Sequence, residues 1–194
     1  MTDPSETSAI RDILDFWFLP PGDPEHGKAR EIWWRSNPDF DEEIRRRFGG
    51  LIRRAVAGEL KHWAETAEGA LALIILCDQF TRNIYRKSAD AYCGDATALA
   101  TARVAVARGF HLKVPRDVRT FYFTPFHHSE SLADQEMSCA LFETVADANN
   151  KNYARSHRDI VARFGRFPHR NEVLGRTSTP EELDYVKTAE RYGQ

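Results

Sequence analysis

A chain of 194 residues is long enough to bury a core and short enough to be one domain over residues 1–194. Hydrophobic residues at 42% and charged residues at 29% exclude a disordered chain, and a formal charge of −2 argues against general nucleic-acid or membrane-surface binding. Cys77, Cys93 and Cys139 are widely spaced and form no CxxC pair, so they read as free thiols in a reducing cytosol. The N-terminus has no basic region followed by an apolar one, and the run Ala70 to Cys77 is too short to span a bilayer. A cytoplasmic protein is expected.

Helical patterns dominate from the start. Asp3-Pro4-Ser5-Glu6 combines an N-cap, a proline at the first helical position and an acid at the third. Ile10, Ile13, Leu14, Trp17 and Phe18 then make one apolar face, and the prolines at 20, 21 and 24 predict a loop over 20–30. Trp33-Trp34 reopens order. Asp39 with Glu42 predicts the next cap, before an amphipathic helix carrying Phe40, Ile44, Phe48, Leu51, Ile52, Ala55 and Val56. Gly49-Gly50 is a weak point in it. The arginines at 45–47 and 53–54 read as a solvated face.

Leu71 to Leu76 is apolar on all sides, which marks a central buried helix over 69–86. Asp78, Gln79, Arg82 and Asn83 continue it, with Asp78 and Arg82 one turn apart. Gly94-Asp95 opens an alanine-rich helix closed by Gly109. Pro115 opens a short aromatic one stopped near Pro125. His127-His128-Ser129-Glu130 reads as a turn into a helix over 129–148 with Leu132, Gln135, Cys139, Phe142 and Ala146 inward. Asn149-Asn150 should break the chain and cap a helix whose inward face holds Tyr153, His157, Ile160, Val161 and Phe164. Pro168 begins a single turn ending at Gly175. Thr179-Pro180-Glu181-Glu182 is a capping box, after which Leu183 and Val186 begin the last helix. The expectation is an all-α fold of about eight helices in antiparallel hairpins, either a tetratricopeptide-like array or a compact bundle around the central helix.

Three constellations carry chemistry. Polar groups on the 69–86 helix would each cost a few kcal/mol if buried unpaired. Asp78, Arg82 and Asn83 are therefore either internal braces or the wall of a pocket. His128 and Glu130 with His157 form a weak ligand set with no HExxH beside it, and no metal is assigned. Between Lys151 and Arg176 seven Lys or Arg face only Asp159 and Glu172. Within that block Arg163, Arg166, Arg170 and Asn171 surround Phe164, Phe167 and Pro168. They suit a latch onto acids such as Asp78, Glu130 or Asp134, or a phosphate or carboxylate site, since arginine offers a bidentate fork. His128 and His169 are the candidate acid–base groups. No nucleotide-binding loop and no nucleophile motif is present, and no cofactor is named.

Four stretches in order resemble the bacterial domain-of-unknown-function family 924. They are Ile13-Leu14-Asp15-Phe16-Trp17-Phe18; Leu76-Cys77-Asp78-Gln79-Phe80-Thr81-Arg82-Asn83; Pro125 to Glu130 with Asp134-Gln135-Glu136; and Arg163 to Asn171. The resemblance runs from about residue 10 to 186. It implies an all-helical fold near the tetratricopeptide-like superfamily and a cytoplasmic protein, and it implies no activity. Thr81 stands where the family pattern usually has proline, which implies a less kinked central helix here. Two functions follow from the residues. One is a pocket that binds or turns over a small phosphate- or carboxylate-bearing molecule, served by Asp78, Arg82, Asn83, His128, Glu130, Gln135, His157, Arg163, Arg166, His169, Arg170 and Asn171. The alternative is a helical-hairpin module that binds a protein partner, its polar motifs serving only as braces.

Overall fold

The computed structural model describes residues 3–145 and 148–188, and among these every regular element is helical. Helix α1 (Pro4–Phe18) starts as its sequence predicts: the Asp3 carboxylate accepts the Ser5 N–H at 2.9 Å. Helix α2 (Pro38–Val56) starts one cap earlier than expected. Asn37, not Asp39, is the N-cap, accepting from Phe40 N–H at 3.0 Å, because Pro38 already has the φ of a first helical residue. The helix runs through Gly49-Gly50, and the arginines at 45–47 and 53–54 face solvent.

The central helix is not regular. It begins as α3 (Ala67–Ile74), widens into a π-helical stretch over Ile75–Phe80, and closes as α4 (Thr81–Ile84). Thr81 therefore does not give a uniform α-helix; its hydroxyl donates back to the Cys77 carbonyl at 2.8 Å. The wider turn adds a residue per repeat and is a frequent companion of functional sites. Here it turns Asp78 and Gln79 inward, both buried, in a segment otherwise built of Ile75, Leu76, Cys77 and Phe80.

The rest of the core surrounds this helix. Trp17 packs edge-on against Phe80 and Phe121 and stacks on Trp33, while Phe16 stacks on Phe40 at 4.8 Å. Such ring pairs add about 0.5–1.5 kcal/mol each beyond the area they bury. Helix α5 (Asp95–Ala107) approaches so closely that a β-carbon on Gly94 would stand 2.2 Å from the Cys77 carbonyl oxygen. Only glycine allows that contact, and it brings Asp95 alongside Arg82.

Several boundaries differ from expectation. Pro125 does not stop the aromatic segment but sits in the first turn of a further helix. After α6 (Arg116–Arg119) and a 3-10 turn over Thr120–Tyr122 comes α7 (Thr124–His128), where proline costs no hydrogen bond. Thus His127 and His128 end a helix instead of leading into one. Helix α8 (Leu132–Glu143) is shorter than 129–148, because the extended Ser129 spends its hydroxyl on Asp134 at 2.8 Å. Leu132 is exposed, and Ala146 lies outside the described residues. Helix α9 (Ala148–Phe164) begins before Asn149-Asn150, which lie in its first turn and do not break the chain. Its inward face holds His157, Ile160 and Val161, while Tyr153 is exposed.

The corner after α9 has its own small core of Ile160, Val161 and Phe167, packed by Phe164 and Tyr185. Helix α10 (Pro180–Thr188) closes it with the predicted reciprocal box: Glu182 N–H donates to Thr179 Oγ1 at 3.2 Å, and Thr179 N–H donates to Glu182 at 2.8 Å. Leu183 is exposed; the buried member of that turn is Glu182.

Candidate functional site

A cavity of about 400 Å³ opens between the end of the central helix, α7, α9 and the Pro168–Arg170 turn. Arg82, Asn83, His128, His157, His169 and Arg170 of the sequence candidates line it. Asp78 lies directly behind, fully buried, and reaches the cavity through His128.

The His128 Nδ1–H donates to Asp78 at 2.6 Å, so Nε2 carries the lone pair. Nε2 has no hydrogen bond to a described residue, and the side chain keeps 19% exposure on the cavity wall. Two devices aim this ring. Gln135, buried, donates to the carbonyls of His127 at 2.8 Å and Ser129 at 2.6 Å, capping the end of α7. Arg170 donates to the carbonyl of His128 itself at 2.9 Å.

Arg170 is the least compensated buried cation. Tyr92 and Phe167 lie against its guanidinium, with centroids at 4.8 and 4.4 Å, so its remaining N–H edge is what a ligand can reach. Its nearest carboxylate, Asp95, is 3.9 Å away and already holds Arg82 through two bonds of 2.9 and 3.1 Å. The Arg170 Nε is buried without a partner among the described residues, and Nη2 makes no hydrogen bond there either. Burial, with Arg82 nearby, lowers the Arg170 pKa to about 10, so the group stays charged at neutral pH.

The same burial keeps the histidines neutral. Burial and the neighbouring His128 lower His157 to about 3, and burial with Arg170 lowers His169 to about 4. Burial also pushes His127 well below its ordinary value and, with Arg82, lowers His128. Asp78 moves the other way: burial would raise its pKa, but His128 and Arg82 outweigh it and keep the carboxylate ionised. A neutral imidazole held by an ionised carboxylate is a competent general base. The rings of His127 and His157 lie 3.8 Å apart, yet no three His, Cys, Asp or Glu among the described residues are grouped to hold a metal ion. Burial raises the Cys77 thiol to about 12, as suits inert filling.

The other candidates do not line this cavity. Arg163 pairs with Glu181 and Arg166 with Glu182, both on α10, and Asn171 bonds Ser178 at 3.0 Å and Glu182 at 3.3 Å. Glu130 accepts the Phe167 N–H at 2.8 Å and two bonds from Arg176 at 2.7 and 3.0 Å. These residues build the corner that carries His169 and Arg170. None of Arg163, Arg166, Arg170 and Arg176 pairs with Asp134, which is held by Arg103. Sequence reasoning missed Trp34, Arg35, Arg86, Lys87, Tyr92 and His127 as lining residues. Arg86-Lys87 carries no motif, and nothing in the sequence marks the 85–95 segment as part of the cavity wall.

The sequence profile of the family described as "Bacterial protein of unknown function (DUF924)" matches residues 13–190. A solved structure from Agrobacterium tumefaciens, the protein of unknown function ATU0120, is similar at 38% identity with a TM-score of 0.84, covering 94% of this chain and 99% of that one. No curated protein matches.

Proposed function

The chain belongs to this bacterial family of unknown function, and within it we propose that the protein binds, and turns over by acid–base chemistry, a small organic molecule bearing a carboxylate or phosphate. The observation that carries this reading is that one cavity is lined by both His128, with Nε2 open, and Arg170, with Nη2 open. Both atoms are without a hydrogen bond among the described residues, both belong to residues on one cavity of about 400 Å³, and Arg170 is bonded to the His128 backbone. That volume would hold about a dozen waters, so the occupant is an organic molecule larger than an inorganic ion.

In this reading His128 takes a proton from an O–H, or from a C–H beside a carbonyl. Asp78 fixes the tautomer and balances the imidazolium that forms. Arg170, with Arg82 behind it, donates to the oxygen on which negative charge develops. The His128 imidazolium then returns the proton to the product, and His169, a neutral ring on the same cavity, hydrogen-bonds the substrate. The alternative, a protein-binding hairpin module, calls for a continuous exposed apolar groove. Among the described residues the exposed Val104, Leu112, Leu132, Met137 and Leu183 are spread over α5, the turn at 110–113, α8 and α10, and the second concavity is lined by Arg47, Arg53, Arg54 and Glu59 together with Gly50, Leu51 and Ala57.

A thermal-shift screen of organic acids and phosphoesters tests the reading. A ligand at about 100 times its Kd adds ~2.7 kcal/mol, which for a chain of this size raises Tm by roughly 5–10 °C. The shift is expected to vanish in Arg170→Gln while that variant remains folded. Shifts that persist in Arg170→Gln would refute the site.

A further inference from the structure

Among the described residues five cations line the cavity: Arg35, Arg82, Arg86, Lys87 and Arg170. Four of them face carboxylates. Arg35 meets Glu31 at 2.7 Å, Arg86 meets Asp41 at 2.7 Å, and Arg82 lies between Asp95 at 2.9 Å and Asp78 at 3.2 Å. Arg170 shares Asp95 at 3.9 Å. Lys87 has no ion pair or hydrogen bond among the described residues. The interior is therefore close to neutral as it stands, with two arginines against two aspartates, and the unanswered positive charge is at the mouth.

The backbone at Lys87 points the same way. Its φ is 59°, in the left-handed region, three residues after α4 ends at Ile84. A chain leaving a helix through that conformation is usually served by glycine, which has no β-carbon to strain it. A lysine there gives up that ease, and its exposed side chain makes no hydrogen bond or ion pair among the described residues in return. Trp34 lines the same cavity; the residue is 57% exposed and stacks on Phe121 at 6.2 Å.

We infer that Lys87 is the charge anchor of the cavity: the ligand's single acidic group pairs with its ammonium at the mouth, and the uncharged, oxygen-bearing end points inward to Arg170 and His128. The inference rests on the reading of the cavity as an organic-acid site and adds the ligand's orientation. It separates binding from chemistry. Lys87 holds the acidic group, a carboxylate or a phosphate, and the reacting atom is brought to His128 by the length of the molecule between them.

Tryptophan fluorescence tests this without knowing the ligand. Trp17, Trp33 and Trp63 are buried, so Trp34 at the cavity mouth is the ring that aqueous quenchers reach. Anionic iodide is compared with neutral acrylamide in the wild type, Lys87→Gln, Lys87→Gly and Arg170→Gln, with Trp34→Phe identifying the quenched ring. Lys87→Gly relieves the left-handed strain and serves as a folded control. The iodide-to-acrylamide ratio is expected to fall at least twofold in both Lys87 variants and to hold in Arg170→Gln. Acetate and inorganic phosphate are then titrated against iodide. Whichever protects Trp34 in the wild type, and not in Lys87→Gln, names the acidic group. An unchanged ratio in both Lys87 variants overturns the inference. If Arg170→Gln still abolishes organic-acid thermal shifts in that case, the cavity reading survives its orientation; if no acid shifts even the wild type, the cavity reading falls as well.

Discussion

Asp78 and His128, 50 residues apart in the chain, meet at 2.6 Å with the carboxylate wholly buried. The π-helical stretch supplies one partner and the last residue of α7 the other, so the pair exists only in the folded protein. Removing the carboxylate would leave His128 Nδ1–H without its acceptor and Arg82 with one anion fewer. Breaking a buried charged pair from one side costs about 3–5 kcal/mol. Asp78→Ala is therefore expected to lose stability of that order in urea unfolding, while a loss below ~1 kcal/mol would mean the pair is not coupled.

The histidines set a pH dependence of definite sign. Each has an ordinary value of 6.5, and in the fold His157 falls to about 3 and His169 to about 4. Below pH 6.5 the unfolded chain binds protons that the folded chain does not, so stability falls with acidification, by up to about 1.4 kcal/mol per pH unit for each such group. The loss is complete only at the folded values. Asp78, whose folded pKa is lowered, adds a further loss below about pH 4. Tm should decline steeply from pH 6.5 to 4 and less so in His157→Gln, provided the variant folds. A flat profile over that range would contradict the burial of neutral imidazoles.

Gly94 is the tightest contact behind the cavity. A β-carbon there would meet the Cys77 oxygen at 2.2 Å and its carbonyl carbon at 2.8 Å, all backbone atoms that cannot rotate away. Gly94→Ala should push the start of α5 off the central helix and pull Asp95 from Arg82. Overpacking of this kind costs about 1–3 kcal/mol, or roughly 3–10 °C in Tm for a chain this long. A variant as stable as the wild type would mean the helices separate freely.

Arg166 supports the corner and not the cavity. Its bonds to Glu182, joined by the Thr179 N–H, hold that carboxyl at about 2. In Arg166→Ala, amide exchange over residues 178–184 should quicken while ligand-induced thermal shifts remain. Loss of those shifts with unchanged exchange would reverse the assignment.

The pattern of elements was legible because caps are local. Asp3 and Thr179 act within their own first turns, as their neighbours in sequence indicate. Asn37 was overlooked because Asp39 offered a similar pattern two residues later, and Pro125 because its effect depends on whether a helix begins or ends there. The π-helical stretch left no periodic trace, since one widened turn among all-apolar residues changes no alternation. The site was half legible. Asp78, Arg82, His128 and Arg170 stood out as polar groups in apolar company. Arg163 and Arg166 carry the same chemistry as Arg170, and only the tertiary fold decides that two face α10 and one faces the cavity. Lys87 gave no signal, because left-handed backbone at a lysine is visible only in three dimensions.

Soaking crystals of the protein in a set of small organic acids and phosphoesters tests the central claim most directly. The account predicts density inside the cavity with an oxygen within about 3.2 Å of Arg170 Nη2 or His128 Nε2, and the acidic group directed to Lys87. Ligands found only on other surfaces, with the cavity holding nothing but water across the set, would contradict it.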